Sequence, residues 1–436
     1  MLLRVIAVVT LCWLHNANCQ FGPNKQSFGY VDVREGAHMF YWLFYTTAAA
    51  AAAERPLVVW LQGGPGGSST EYGNFALIGP LDMRLQPRNY TWVNDFNVLF
   101  LDNPVGTGFS YVDDLSYLTT DNQQIGDDFV AFMRGFYLKH PEFESVPLYI
   151  YGQSYGGKMA VDMALKMKEA EAAGTIKSNL RGIGMGNAWI HPIDLTNAWA
   201  PLLLATGLVD QAGHDLIMEE AKKTEQLYNE GKFKESTAQW SQTQCVLRTS
   251  TGPLDIYNIL AKEPRLGLRD GETKLALARD LLQSRRQRRD AEEWDPKELM
   301  NTQVKPALGV PDHVVFGSQE DEVFKYLETD FMNPVTDGIE RLLNETDIIV
   351  TKYNGNMDQI CGTAGQMLWV ERLQWAGAVQ FQAAPREPVW VNDRLEGYVQ
   401  SHGNFRFFYM NVAGHSVPKD SPEGMTAILR DMTSFG

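Results

Sequence analysis

The segment Gly152-Gln153-Ser154-Tyr155-Gly156 constrains this chain more than any other. It follows an apolar run, Leu148-Tyr149-Ile150-Tyr151, and precedes a stretch of helical pattern from Lys158 to Ala172. Glycines on either side of a serine permit a sharp strand-to-helix turn, which lifts the hydroxyl above a sheet at a helix N-terminus. The pattern G-x-S-x-G arises often by chance. The strand before it and the helix after it give it meaning. Ser154 is therefore the candidate nucleophile.

The rest of the chain supplies the sheet such a turn needs. His38 to Tyr45 is strongly aromatic, Val58-Val59-Trp60-Leu61 is aliphatic, and Val98 to Asp102 and Gly182 to Gly186 are further short apolar runs. Asp121 to Lys139 carries Ile125, Phe129, Phe132, Met133 and Phe136 at helical spacing. Strands alternating with helices imply a parallel sheet covered on both faces. From Ile190 to Asp321 the character changes. Charged helical stretches dominate there, at Glu219 to Lys234 and Asp270 to Glu293, and strand signals return at Asp347 to Tyr353 and Phe405 to Val412. The expected class is α/β, with a mostly parallel central sheet and a helical cap inserted into it. The expected division is core at 20–189, cap at 190–321 and core again at 322–436.

Met1 to Cys19 reads as a secretory signal peptide, with an apolar Val5 to Leu14 and small residues at Ala17-Asn18-Cys19. A membrane anchor is the weaker reading, because the run is short and polar residues follow at once. No later run approaches the ~20 apolar residues a bilayer requires. Asn89-Tyr90-Thr91 and Asn344-Glu345-Thr346 are candidate glycosylation sites on that route. The formal net charge is −15. That argues against nucleic acid, whose binding needs a basic footprint, and suits an acidic compartment. Secretion and lysosomal residence both fit. Outside the signal, Cys245 and Cys361 remain, paired or free. Arg285-Arg286-Gln287-Arg288-Arg289 reads as a solvated loop in preference to a processing site. The Ala48 to Ala53 tract carries no functional reading. No metal-ligand cluster and no cofactor motif stands out.

A serine hydroxyl needs a base, and the base needs a carboxylate to hold its tautomer. In a strand–turn–helix nucleophile of this kind the chain order is serine, acid, histidine. His415 follows a strand-like run, in Gly414-His415-Ser416-Val417-Pro418, and Asp358 follows Ile348-Ile349-Val350 within Tyr353-Asn354-Gly355-Asn356-Met357-Asp358. Gln62-Gly63-Gly64-Pro65-Gly66-Gly67 directly follows another strand candidate. Its backbone can approach a reacting carbonyl, so the N–H groups of Gly64 and Tyr155 are the expected oxyanion-hole donors. A phosphate-binding loop is excluded, since no Gly-Lys-Ser/Thr follows.

Together these segments resemble the serine carboxypeptidase family, a branch of the α/β-hydrolase fold. The resemblance includes Phe40-Tyr41-Trp42, Trp60 to Gly66, Leu101-Asp102-Asn103-Pro104-Val105-Gly106-Thr107-Gly108 and Ser154-Tyr155-Gly156-Gly157. Gln62, Gly67, Gly157-Lys158-Met159-Ala160 and Trp189-Ile190-His191-Pro192 are most similar to its retinoid-inducible branch. It implies release of C-terminal residues from peptides through an acyl-enzyme, with Ser154, Asp358 and His415 as the triad. It also implies a free Cys361 near the substrate pocket, and it is compatible with a homodimer. The family grips the substrate carboxylate with an asparagine and two glutamates. Here Gln62, Gln153 and Ala76-Leu77 stand in those places, and Ser416 replaces a methionine. Gln62, Gly63, Gln153, Cys361 and Ser416 are thus the substrate-binding candidates, and altered exopeptidase selectivity is expected. An acyltransferase or esterase on the same scaffold, or a catalytically weak secreted binding protein, are the alternatives. Peptides are the expected partners, with no membrane contact after signal removal.

Overall fold

The computed structural model describes residues 21–49, 52–262 and 295–433. The signal segment, Asp270 to Glu293 and the Arg285–Arg289 cluster lie outside the described residues.

Eleven strands form one sheet: β1 (Gln26–Arg34), β2 (Ala37–Phe44), β3 (Leu57–Leu61), β4 (Asn97–Leu101), β5 (Tyr111–Val112), β6 (Leu148–Gln153), β7 (Leu180–Gly186), β8 (Ile349–Gly355), β9 (Glu387–Val391), β10 (Arg394–His402) and β11 (Phe405–Met410). Their order is β1-β2-β4-β3-β6-β7-β8-β11-β10-β9, with β5 paired to β2. The six strands from β4 to β11 along that path are parallel, and antiparallel hairpins flank them on both sides. Among the described residues, the long segment between β7 and β8 contains helices and no strand.

Strand alternation sorts the apolar side chains onto the two faces. Met39, Tyr41, Leu43, Leu57, Val59 and Leu61 enter one core, while Phe40, Trp42, Phe44, Val58 and Trp60 enter the other. The first core is closed by α1 (Asn122–Lys139) and α2 (Tyr155–Ala172), whose Phe129, Phe132, Phe136, Met159 and Met163 are fully buried. Each large side chain taken out of water contributes about 1.5–3 kcal/mol. The aromatic run in β2 therefore anchors both layers at once.

Two local expectations need correction. The helical stretch expected over Glu219 to Lys234 is two antiparallel helices, α3 (Gln211–Asn229) and α4 (Phe233–Thr251). Gly231, at φ +72°, ends the first in the left-handed conformation that favours glycine. The β9–β10 hairpin is absent from the sequence reading. Asn392 and Asp393 both adopt positive φ, 49° and 60°, which suits a two-residue turn between twisted strands. Pro388 obscures that signal, and an edge strand tolerates it because one row of amides faces away from the sheet.

Candidate active site

The site forms where the parallel strands end. Ser154 joins β6 to α2 with φ 60° and ψ −127°, a strained conformation for a residue with a Cβ. Three backbone hydrogen bonds hold it there. Its N–H donates to Gly186 O, and its carbonyl accepts from Gly157 and Trp189, each at 3.0 Å. A Cβ on Gly63 would lie 2.6 Å from Ser154 Cβ and 2.8 Å from Tyr155 N, so only glycine lets the loop after β3 press against the turn. Tyr155 is the first residue of α2. Its N–H has no carbonyl partner within the helix, and the positive end of the helix dipole lies there.

Asp358 and His415 come from the loops after β8 and β11. Both are buried, and His415 Nδ1 lies 2.7 Å from Asp358 Oδ2. The same carboxylate oxygen accepts from Asn187 Nδ2 at 2.7 Å, and Asp358 Oδ1 accepts from the Ile360 N–H at 3.1 Å. Asn187 also takes the Gly355 N–H on its own oxygen. It follows β7, so three neighbouring strand ends converge on one carboxylate. The sequence reading missed Asn187; its sole signal is a polar residue directly after a buried strand. Tyr257 also fixes His415: its carbonyl accepts the His415 backbone N–H at 2.6 Å, and its ring packs edge-on against the imidazole, 5.1 Å away.

Cys361 adjoins this pair. Its sulfur lies with ligand atoms of Asp358 and His415 in a group within 4.8 Å of one another. Burial, and then the nearby Asp358 carboxylate, push the Cys361 thiol well above its ordinary range. A metal ion would want the thiolate, and the carboxylate already accepts three hydrogen bonds. The donor set suits proton transfer better than metal binding. Cys361 is a free thiol.

The remaining candidates fall in two groups. Gln153 Nε2 donates to Ser416 Oγ at 3.0 Å, joining two expected pocket residues across the site. Gln153 Oε1 is buried with no partner among the described residues. Gln62 is buried, its Oε1 accepting from the Trp60 indole at 3.3 Å and its N–H donating to Ser69 Oγ. Asn89 and Asn344 lie on the surface. The Asn344 amide bonds at both ends, to Gln374 O and the Ala376 N–H.

A family model described as serine carboxypeptidase matches residues 18–434. The chain belongs to the serine carboxypeptidase family. It is 39% identical over 417 residues to a retinoid-inducible serine carboxypeptidase of Rattus norvegicus, spanning 94% of this chain and 91% of the relative. A serine carboxypeptidase-like protein of Arabidopsis thaliana is 34% identical, over 96% of each chain. Among solved structures, a prohormone-processing carboxypeptidase from Saccharomyces cerevisiae superimposes with a TM-score of 0.77 at 20% identity, covering 94% of this chain and 91% of that one. The fold is therefore the serine carboxypeptidase form of the α/β hydrolase, and the chain is a hydrolase. Among the described residues of this serine carboxypeptidase, no helix is long and apolar enough to cross a membrane.

Proposed function

We propose that Ser154, Asp358 and His415 form the catalytic triad of a carboxypeptidase that releases C-terminal residues from peptides. The observation that carries this reading is the buried Asp358–His415 pair, together with a serine held at positive φ in the strand–helix turn. With Nδ1 donating to Asp358, Nε2 is left to accept the Ser154 proton. The serine oxygen then attacks the scissile carbonyl, and the oxyanion meets the N–H groups of Gly64 and Tyr155. His415 returns the proton to the departing amine, leaving an acyl-enzyme. A water, activated by the same imidazole, releases the shortened peptide.

The carboxylate grip in this proposal is altered. A pair of carboxyls shares a proton and binds a substrate carboxylate best in acid. Gln153 has no such requirement. If its amide turns over, Nε2 faces the substrate carboxylate while the Ser416 hydroxyl donates to Oε1. That exchange would also satisfy the orphaned Oε1, worth about 1–3 kcal/mol. Recognition of the free C-terminus should then persist toward neutral pH.

The segment 190–321 is proposed as the cap. Supporting this, Ile256 accepts the N–H groups of Gln359 and Ile360 through its carbonyl, at 3.0 and 3.1 Å, so the segment packs on the acid loop. Residence is proposed to be secreted or lysosomal, with glycans on Asn89 and Asn344.

The test compares blocked dipeptides with their C-terminal amides from pH 4 to 8. A modest preference for free carboxylates that changes little with pH is expected. A steep acid-only preference would refute the altered grip. Full activity in Ser154→Ala would refute the triad, and faster turnover of esters than peptides, with acyl transfer to alcohols, would favour a transferase.

A further inference from the structure

Lys352 is a lysine inside the sheet core that the reaction above does not use. It sits in β8 between Met185 of β7 and Phe407 of β11, and its side chain is fully buried. Its Nζ donates to Asn354 Oδ1 at 2.7 Å and to Tyr353 O at 3.1 Å, and it lies 5.7 Å from the centre of the Phe407 ring. Both acceptors are neutral. An ammonium taken out of water without a carboxylate bonded to it is expensive, so its surroundings merit explanation.

Those surroundings lead to the acid loop. Asn354 Nδ2 donates to Gly355 O at 3.2 Å, to Cys361 O at 3.0 Å and to Thr363 Oγ1 at 3.0 Å. Thr363 Oγ1 in turn donates to Asn356 Oδ1 at 2.8 Å. Residues 355–363 carry Asp358 and Cys361, so Lys352 stands at the root of the network that shapes this loop. The ionisable groups acting on the amine are Cys361 and Asp358, with His415 one hydrogen bond further on. Met185 and Phe407 flank it from the neighbouring strands, and Gln366 reaches Cys361 O from the helix Thr363–Arg372; none of these titrates.

We propose that Lys352 is a positioning residue for the triad: its ammonium holds the Asp358 loop through Asn354 and, by acting on the carboxylate that bonds His415, opposes a second positive charge on the imidazole. This deepens the Ser154–Asp358–His415 reading and rests on it. The effect is confined to acid. Burial pushes the Lys352 amine down to about 7, against the opposing pull of Cys361 and Asp358. Below that pH the ammonium is present, which is where a histidine base is otherwise lost to protonation. Above it the amine is neutral, and the help is not needed. Two cationic groups that act on one carboxylate in a poorly solvated interior couple strongly enough to move a titration by a unit or more.

The experiment is the pH profile of kcat/KM on a blocked dipeptide for the parent, Lys352→Met, Lys352→Gln and Lys352→Arg. In Lys352→Met the acid limb should move upward by about one pH unit. The ratio of kcat/KM at pH 4.5 to that at pH 7.5 should fall about tenfold. Lys352→Gln can still bond to Asn354 but carries no charge, and should show the same displacement if Lys352→Met folds poorly. Lys352→Arg should keep the parental limb. An equal fractional loss at every pH, with the limb unmoved in both neutral variants, would overturn the electrostatic role. Ser154→Ala separates the two readings. An inactive Ser154→Ala with an unmoved limb sinks only the lysine, whereas an active one sinks the triad beneath it.

Discussion

Asn187 and His415 bond to the same oxygen of Asp358, each at 2.7 Å. The amide therefore fixes where the carboxylate points, and the carboxylate fixes which tautomer the imidazole adopts. Asn187→Ala leaves that oxygen with the imidazole alone and frees the carboxylate to rotate. We expect kcat to fall by about 10–100-fold with KM little changed, because in the proposed triad the lost interaction orients His415 and does not bind substrate. Steady-state kinetics on a blocked dipeptide measure this. A change confined to KM would show that Asn187 acts on binding instead.

Gln153→Glu tests the pocket's pH logic. A carboxyl at this buried position titrates above the ordinary carboxylate range, because burial disfavours its charged form. While protonated it can donate to a substrate carboxylate; once ionised it repels that group. The variant should thus favour free C-termini in acid and lose that preference as pH rises toward 7, by roughly tenfold or more. The ratio of activities on matched acid and amide substrates, taken across pH, gives the answer directly.

Lys158, Asp330 and Tyr155 predict a stability effect next to Ser154. Lys158 Nζ donates to Asp330 Oδ2 at 2.7 Å and to its carbonyl at 2.6 Å, while the Tyr155 hydroxyl donates to the same Oδ2 at 2.9 Å. Lys158 is fully buried. Lys158→Met alone strands the carboxylate and should cost about 3–5 kcal/mol, whereas Lys158→Met with Asp330→Leu should cost less. Urea midpoints for the three proteins decide. A larger loss in the double variant would mean that the ion pair is a net source of stability.

Lys352 also makes folding pH-dependent. Its amine is pushed down to about 7 in the folded state, below the ordinary lysine value. Between those two values the unfolded chain binds more protons than the folded one, so stability rises with pH across that window. Below about 7 the full penalty of the buried ammonium remains. Lys352→Met should remove the rise, flattening the urea midpoint between pH 7 and 10. An unchanged slope would show that some other group titrates there.

Much of the fold was legible because its signals are local. Apolar runs in β3, β4, β6 and β7 mark strands, the spacing of Phe129, Phe132 and Phe136 marks α1, and the chain order of Ser154, Asp358 and His415 follows from strand-end loops. The break between α3 and α4 and the β9–β10 hairpin were harder. They depend on single turn residues, Gly231 and Asn392-Asp393, within segments whose periodicity is weak.

By itself the sequence determined the sheet, the strand–turn–helix at Ser154 and the family, since these rest on backbone conformations and apolar spacing that neighbouring residues enforce. Only the tertiary structure decided what surrounds Asp358. Asn187 and Lys352 arrive from β7 and β8 with no local mark of their role; one is a polar residue after a strand, the other a lysine within one. Their meaning comes from the pairing of parallel strands, which aligns distant strand ends to within hydrogen-bond reach and shuts out the water that would otherwise have screened them.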